Sequence, residues 1–171
     1  LFQLSLPTDH ALDCGSGIGR VTKCVLSKFF DHIDLVDVTQ KFLDESVSYL
    51  GKVNVKVNRR ICCGLQDLIP ERGRYNMIWI QWVASHLIDS DLGAFLKRCR
   101  ESLSADGGVV VLKENISRDL EQDFDELDHS WTRSRQCFLN LFRDNDLQLV
   151  SEHKQRNFPQ SIYEVRMFAV Q

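Results

Sequence analysis

Short apolar segments with the character of strands alternate with helical segments along most of this chain, and this alternation most constrains its fold. Strands separated by helices build a parallel sheet that helices cover. Residues 75–83 are apolar enough to be buried on both faces of such a sheet. The pattern predicts strands over 9–14, 32–38, 55–63, 75–83 and 107–115, and helices over 18–30, 40–50, 89–103 and 131–145.

The C-terminal end departs from the alternation. Two final strands are predicted over 147–153 and 162–170 with no helix between them, and Pro159 lies in the connection. They should therefore form an antiparallel pair. The prediction is an α/β fold with a seven-stranded, mostly parallel sheet, a C-terminal antiparallel pair and helices on both faces. No linker, repeat or low-complexity segment divides the 171 residues, so residues 1–171 are predicted to form a single domain.

A glycine-rich loop follows the first predicted strand in the segment HALDCGSGIGR, with Gly15, Gly17 and Gly19 at alternate positions. In an open parallel sheet, ligands bind beyond the carboxyl ends of the strands, where glycines let a ligand lie against bare main chain. Asp37 ends the second predicted strand, about 20 residues further on, where a carboxylate accepts the hydroxyls of a ribose. These features predict a site for a nucleoside-bearing cofactor.

The spacing of the glycines bears on which cofactor this is. Dinucleotide sites use G-x-G-x-x-G, whereas this chain has G-x-G-x-G followed by Arg20. Arg20 could pair with the carboxylate of a bound amino acid, or it could be the first exposed residue of a helix. S-adenosylmethionine carries adenosine and an amino-acid carboxylate without phosphate, so it fits this loop better than NAD does.

Composition bears on nucleic-acid binding, on membrane-spanning segments and on the state of the cysteines. The net charge is −3, with 21 basic and 24 acidic residues, which argues against direct binding of nucleic acid. No apolar run reaches membrane-spanning length. The six cysteines form no C-x-x-C pair and mostly lie in apolar segments, which predicts buried, reduced thiols in an intracellular protein and no metal site.

Gln81 stands between Ile80 and Trp82 at the end of an apolar predicted strand. A buried amide needs a hydrogen-bond partner, so Gln81 suits the wall of a site better than the core.

Several segments together carry a family resemblance: ALDCGSGIGR, VDVT, CCGLQDL, IWIQWVASHL, LKEN and PQSIYEVRMFAV. They resemble the class I S-adenosylmethionine-dependent methyltransferases and, more narrowly, the protein α-N-terminal methyltransferases that act on chains beginning Xaa-Pro-Lys. The resemblance covers essentially the whole chain and implies a Rossmann-like class I fold. It also implies methyl transfer to a free α-amino group, a location in nucleus and cytoplasm, and association with a related methyltransferase.

The resemblance implies roles for particular residues. Asn115 would hold the amine through its side-chain oxygen, and Asp128 and His86 are the candidates for taking its proton. Trp82 would line the peptide channel, Asp125 would receive the lysine with Ser130 as a candidate to assist, and Ile162 would help enclose the proline. The cofactor would be held by Gly15, Gly17, Arg20, Asp37, Val38, Thr39, Leu65, Gln66 and Gln81.

The residues alone also allow purely structural interpretations of several candidate site residues. Trp82 could be a core tryptophan, His86 a hydrogen-bonded structural histidine, and the acidic run 123–128 a solvated surface. Glu114 stands where the family favours aspartate, and residues 128–130 read Asp-His-Ser where it favours two serines.

The alternatives concern substrate and catalysis. The family carries a helical N-terminal segment, and this chain begins close ahead of the glycine loop, so a fragment or a protein without that lid is expected. The same fold serves methyltransferases for small molecules, nucleic acids or other proteins. A non-catalytic, cofactor-binding regulatory subunit is a further alternative, and an NAD oxidoreductase is the least favoured.

Overall fold

The computed structural model describes residues 7–118, 122–157, 159 and 162–171. Seven strands form one sheet, and two short strands form a separate hairpin. The strands are β1 His10–Cys14, β2 His32–Asp37, β3 Val57–Cys62, β4 Met77–Gln81, β5 Val109–Ile116, β6 Asp123–Asp125, β7 Ser130–Thr132, β8 Leu149–Lys154 and β9 Glu164–Val170. The helices are α1 Arg20–Cys24, α2 Gln40–Leu50, α3 Asp89–Glu101 and α4 Arg135–Asp144, with 3-10 turns at Leu26–Lys28, Gly51–Lys56 and Ala84–His86.

The strand order in the sheet is β3-β2-β1-β4-β5-β9-β8. The first five strands run parallel, and β9 runs antiparallel to both of its neighbours, β5 and β8. The order reverses between β1 and β4, which is where open α/β sheets bind their ligands. The predicted mixed sheet with a C-terminal antiparallel pair is confirmed.

Apolar side chains cover both faces of the sheet. On one face, Ile78 and Leu112 pack with Phe95 of α3 and Phe138 of α4. On the other face, Ile33, Trp79 and Val111 belong to a second cluster with Leu26, Leu43 and Leu50. Burial on both faces explains why these strands are almost continuously apolar rather than alternating. The predicted arrangement of helices on both faces is therefore confirmed.

Two predicted helices are shorter than their apolar patterns suggest. The single helix over 18–30 is wrong, because α1 ends at Cys24 and Val25 leaves helical geometry before the 3-10 turn. The helix over 131–145 begins only at Arg135, because Ser134 caps it by accepting a hydrogen bond from the Cys137 N–H. The residues just ahead of this cap pair with β6, so the acidic run lies in a hairpin that periodicity does not reveal.

The cysteines are less buried than their sequence context suggests. All six are free thiols, but only Cys14 and Cys99 are buried, and Cys24 and Cys62 are exposed. The expectation that most of them are buried is wrong, because the helix and strand that carry the exposed ones have one solvent-facing side. Within the described ranges, no helix combines the length and hydropathy that a membrane span requires.

Candidate active site

The glycine loop between β1 and α1 presents bare main chain at the switch point of the sheet. Gly15 and Gly17 have φ values of 67° and 54°, in the region that disfavours other residues. A Cβ on Gly15 would lie 2.7 Å from the Cβ of Val83, whereas a Cβ on Gly17 would have no heavy atom within 4 Å. Gly15 thus lets the loop pack against the segment that follows β4, and Gly17 faces open space.

Asp37 lies at the end of β2 and ties the glycine loop to α2. Its Oδ2 accepts a hydrogen bond from the Gly17 N–H at 2.8 Å, and its Oδ1 accepts one from the Thr39 N–H at 2.9 Å. Each carboxylate oxygen retains a second acceptor site, so the group can still bind two hydroxyls. Val38 is 72% exposed beside it, and Thr39 is half-buried.

Asp13, a buried acidic residue that is not among the predicted site residues, links the strand before the glycine loop to the helix after it. Asp13 in β1 accepts hydrogen bonds from the Thr22 N–H at 3.1 Å and from the Thr22 Oγ1 at 2.6 Å, and so caps the first turn of α1. Burial raises the pKa of Asp13 to about 6. An acidic residue inside an otherwise apolar strand just before the glycines is the signal that could have identified it.

Arg20 is the first residue of α1, and it is exposed. Its side chain makes no hydrogen bond or ion pair with any residue that the structure describes. Both interpretations of Arg20 therefore remain, since an exposed first-turn residue is also a free cation beside the loop.

The turn 64–68 follows β3 and is held by Arg98 of α3. Arg98 donates from Nε to the Leu68 carbonyl at 2.8 Å, and from Nη2 to the Leu65 and Gln66 carbonyls at 3.0 and 2.8 Å. Leu65 is buried in the core, whereas the Gln66 side chain lies exposed over Gly64. Arg98 was not among the predicted residues, because an arginine on a helix surface carries no distinguishing pattern.

Gln81 ends β4 next to the glycine loop, since Cys14 is paired with Ile80. Its Oε1 accepts a hydrogen bond from the Trp79 indole at 3.1 Å, and the side chain is half-buried. The amide oxygen therefore has the partner that its position requires, and the amide nitrogen is a further donor group at this end of β4.

Trp82 and Asn115 meet at the carboxyl edge of the sheet. The Trp82 indole donates to the Asn115 Oδ1 at 3.2 Å, and the Lys113 Nζ lies 5.1 Å from the centre of the Trp82 ring. Trp82 is 45% exposed, so the interpretation as a core tryptophan is wrong. Burial lowers the pKa of Lys113. One acceptor site of the Asn115 oxygen remains for another donor.

His86 ends the 3-10 turn after β4, and the β6–β7 hairpin packs beside that turn. His86 is exposed, and within the described ranges its ring has no hydrogen-bond partner, so it is not a satisfied structural histidine. Asp125 and Asp128 are exposed on the hairpin, where the Asp125 Oδ1 accepts from the Leu127 N–H at 2.8 Å. Ser130 is half-buried in β7.

Ile162 precedes β9 and is 45% exposed. The next residue, Tyr163, donates from its hydroxyl to the Asp123 Oδ2 at 3.3 Å, and Ser117 Oγ donates to the same oxygen at 3.0 Å. These contacts bring Ile162 to the hairpin side of the sheet edge. The predicted substrate residues therefore come from four separated parts of the chain: after β4, in β5, in the β6–β7 hairpin and just before β9.

Two buried charged residues hold the segment that carries Trp82 and His86. Glu114 Oε1 accepts hydrogen bonds from the Val83 and Ala84 N–H groups, both at 2.9 Å. Burial raises the pKa of Glu114 to about 7. Arg133 donates from Nη1 to the Ala84 carbonyl at 3.0 Å and is itself 1% exposed.

Comparison with known proteins places this chain in a family. A family model described as AdoMet-dependent proline di-methyltransferase matches residues 4–171. The chain belongs to this family. The resemblance drawn from the sequence motifs is thereby confirmed, and S-adenosylmethionine (AdoMet) is the cofactor of this methyltransferase.

Individual relatives agree with the family match. The α N-terminal protein methyltransferase 1 of Caenorhabditis elegans is 45% identical over 162 residues, which are 95% of this chain and 68% of that protein. The human N-terminal Xaa-Pro-Lys N-methyltransferase 1 is 42% identical over 163 residues, which are 95% of this chain and 72% of that protein. A solved SAM-dependent methyltransferase of Leishmania major superposes with a TM-score of 0.93 at 32% identity, covering 99% of this chain and 67% of that one.

The site residues fit the cofactor of the family. The open main chain at Gly17 and the remaining acceptor sites of Asp37 suit a ribose, and the exposed Arg20 suits the methionine carboxylate. Gln66 and Gln81 offer amide groups on either side of the loop.

Proposed function

We propose that this chain transfers methyl groups from S-adenosylmethionine to the free α-amino group of proteins that begin Xaa-Pro-Lys. Membership of a proline di-methyltransferase family and the printed names of the relatives support the reaction and the substrate class. The observation that carries the proposal is the Trp82–Asn115 pair, an exposed indole bonded to an amide oxygen between the glycine loop and the acidic hairpin.

The chemistry requires alignment and a neutral amine. When bound, S-adenosylmethionine supplies a methyl group on a positively charged sulfur. An α-amino group has a pKa of about 8, so most of it is protonated at neutral pH and must lose a proton before its lone pair is free. Asn115 accepts a hydrogen bond from the amine, and Asp128 or His86 takes the proton, directly or through water.

The same edge supplies the groups for peptide recognition. Trp82 forms an apolar wall against which the proline packs, and Ile162 encloses it from the side of β9. Asp125 pairs with the lysine at the third position, with Ser130 beside it in β7. An acidic surface suits a substrate that carries two positive charges, its amine and its lysine.

The test uses two synthetic peptides that begin Ser-Pro-Lys and differ only by acetylation of the amino terminus. Each is incubated with the chain and S-adenosylmethionine, and mass spectrometry counts the methyl groups added. Mass gain on the free amine alone is expected. Gain on both peptides would identify lysine as the acceptor, and gain on neither, with cofactor binding shown by calorimetry, would favour a non-catalytic role.

The role of Asp128 is tested by Asp128→Asn, which keeps the size of the side chain and removes its basicity. We expect turnover to fall by about 100-fold or more, with near-normal cofactor affinity, because general-base groups contribute on that scale. Glu126→Gln, which changes a neighbouring exposed carboxylate on the hairpin, serves as the control. Equal loss of turnover and cofactor affinity in Asp128→Asn would contradict the assignment.

We also propose that the enzyme works in nucleus and cytoplasm, associates with a related methyltransferase and does not bind nucleic acid directly. The family resemblance supports the first two, and the net charge of −3 supports the third. Imaging of a fluorescent fusion, co-purification and a DNA-binding titration test the three statements separately.

A further inference from the structure

The Ala84 residue is held at both of its backbone groups by buried charged side chains. Glu114 in β5 accepts from its N–H at 2.9 Å, and Arg133, which follows β7, donates to its carbonyl at 3.0 Å. The same Glu114 oxygen accepts from the preceding Val83 N–H. Two elements far apart in the sequence therefore fix one short turn.

Arg133 uses every nitrogen of its guanidinium in this way. Besides the Ala84 carbonyl, it donates from Nη2 to the Leu87 carbonyl at 2.5 Å and from Nε to the Asp89 Oδ1 at 2.8 Å. Its side chain is 0% exposed. The segment 84–89 is consequently fastened to the flank of the hairpin at two backbone carbonyls and at the Asp89 side chain.

Two predicted site residues flank the Ala84 contacts: Trp82, predicted to line the peptide channel, and His86, predicted as a candidate to take the proton. Trp82 precedes the Glu114 contacts and has a φ of 52°, which is unusual for a bulky residue. Such backbone persists only where the surroundings over-determine it. His86 lies at the far end, and its N–H donates to the Val83 carbonyl at 3.2 Å. The two contacts at Ala84 therefore hold the backbone between these two residues.

The energetic cost of this arrangement argues for a function beyond folding. Burying the Arg133 guanidinium and the Glu114 carboxyl group costs free energy that apolar residues of similar volume would not, and such residues often hold a fold as well. The wall of a site must instead be held to within a fraction of an ångström, which directed hydrogen bonds achieve better than packing does.

We propose that Glu114 and Arg133 are positioning residues for methyl transfer, which fix the 82–86 segment from both sides and so set Trp82 and His86 against the peptide. This inference rests on the proposed function. Neither residue touches the substrate, and both act through the Ala84 backbone.

The first arm of the test is kinetic and uses Glu114→Ala, Glu114→Gln and Arg133→Lys. In Glu114→Ala we expect kcat on the Ser-Pro-Lys peptide to fall by about 100-fold, the cost of a misplacement near 1 Å, with an unchanged affinity for S-adenosylmethionine. Glu114→Gln keeps an oxygen that accepts both N–H groups, so it should restore most of the activity. Arg133→Lys keeps the charge but loses the planar set of donors, so it should behave like Glu114→Ala.

The control is Tyr75→Phe, which removes a buried hydrogen bond to Asp34 at the opposite end of the sheet. It should lower the stability without changing kcat, since the two sites are independent. If Glu114→Ala and Arg133→Lys keep the parent kcat, or lose cofactor affinity in proportion to turnover, the proposal is overturned. If Glu114→Ala does not fold, the test compares the kcat of Arg133→Lys with that of Glu114→Gln. A low kcat in Arg133→Lys and a near-parent kcat in Glu114→Gln support the proposal, and a parent kcat in both overturns it.

The second arm needs no turnover. Hydrogen exchange of the amides of 83–87, followed by mass spectrometry, should accelerate in Glu114→Ala and Arg133→Lys and stay unchanged in Tyr75→Phe. Unchanged exchange in the first two variants would overturn the proposal. If the parent chain methylates neither peptide, the proposed function fails by itself, and the exchange result still decides whether the two residues hold the segment.

Discussion

Asp37→Asn probes the one carboxylate that serves both the glycine loop and the predicted ribose contact. Both oxygens of Asp37 accept from backbone, one from Gly17 at 2.8 Å and the other from Thr39 at 2.9 Å. Asparagine has a single acceptor oxygen, so its amide nitrogen must face one of these two N–H groups, donor against donor. The substitution therefore disturbs the loop and also removes the charge that hydroxyls of a ribose would bind.

The expected magnitude follows from these contacts. A hydrogen bond to a charged acceptor contributes about 1.5 to 3 kcal/mol, and loss of one such bond to the cofactor weakens binding by roughly 10- to 100-fold. The loop loses a contact of similar strength at Gly17 or Thr39, which adds to the weakening. Because the proposed peptide site lies beyond β4 from Asp37, kcat at saturating cofactor should fall much less than cofactor affinity.

Calorimetric titration with S-adenosylmethionine measures this effect. The matched control is Asp44→Asn, which changes an exposed carboxylate on α2 that accepts a hydrogen bond from the Gln40 side chain. A dissociation constant for Asp37→Asn within about threefold of the parent value, less than 1 kcal/mol, would refute the assignment of Asp37 to the cofactor.

Three further changes test other parts of the structure. Because the pKa of Asp13 rises from its ordinary value of 3.8 to about 6 in the folded chain, ionisation opposes folding there. The free energy of unfolding, measured in urea relative to Asp13→Asn, should therefore fall by about 2 kcal/mol between pH 4 and 6, and a rise would contradict the burial argument. Phe168→Ala removes a fully buried ring that packs on Phe138 at 5.5 Å between ring centres, and should cost about 3 to 5 kcal/mol in the same assay, where a loss below about 1 kcal/mol would contradict that packing. Arg98→Met frees the carbonyls of the turn 64–68 and should weaken calorimetric cofactor binding several-fold without abolishing the fold, whereas an unchanged affinity would exclude this turn from the site.

Much of the fold follows from local pattern. Strands buried on both faces are nearly continuous apolar runs, and the glycine loop marks where β1 turns into α1, so β1, β2, β4 and β5 are predicted close to their observed bounds. The break at Val25 is not predicted, because buried residues such as Leu26 continue the same spacing through a 3-10 turn.

The sequence predicts the cofactor side of the site better than the side that carries Trp82 and His86. The glycine loop and Asp37 carry local signals, and their juxtaposition follows from the parallel order of β1 and β2. The environment of Trp82 and His86 is not encoded in any short stretch, since whether a tryptophan is a core residue or a half-exposed wall depends on what packs against it. Both interpretations of each residue are compatible with the sequence. The exposure of the two side chains excludes the interpretation as core residues, and their site roles stay predictions.

What the sequence determined by itself is the set of contacts between residues close along the chain: the alternation that builds the sheet, the glycine loop, and the motifs that identify the methyltransferase family. What only the tertiary structure decided is the set of contacts between distant residues. Asp34 with Tyr75 and Glu114 with Ala84 are joined across 41 and 30 positions of the chain. A buried charge acquires its role from the backbone groups that surround it, and those groups are defined only once the strands have paired and the turn after β4 lies between β5 and the hairpin.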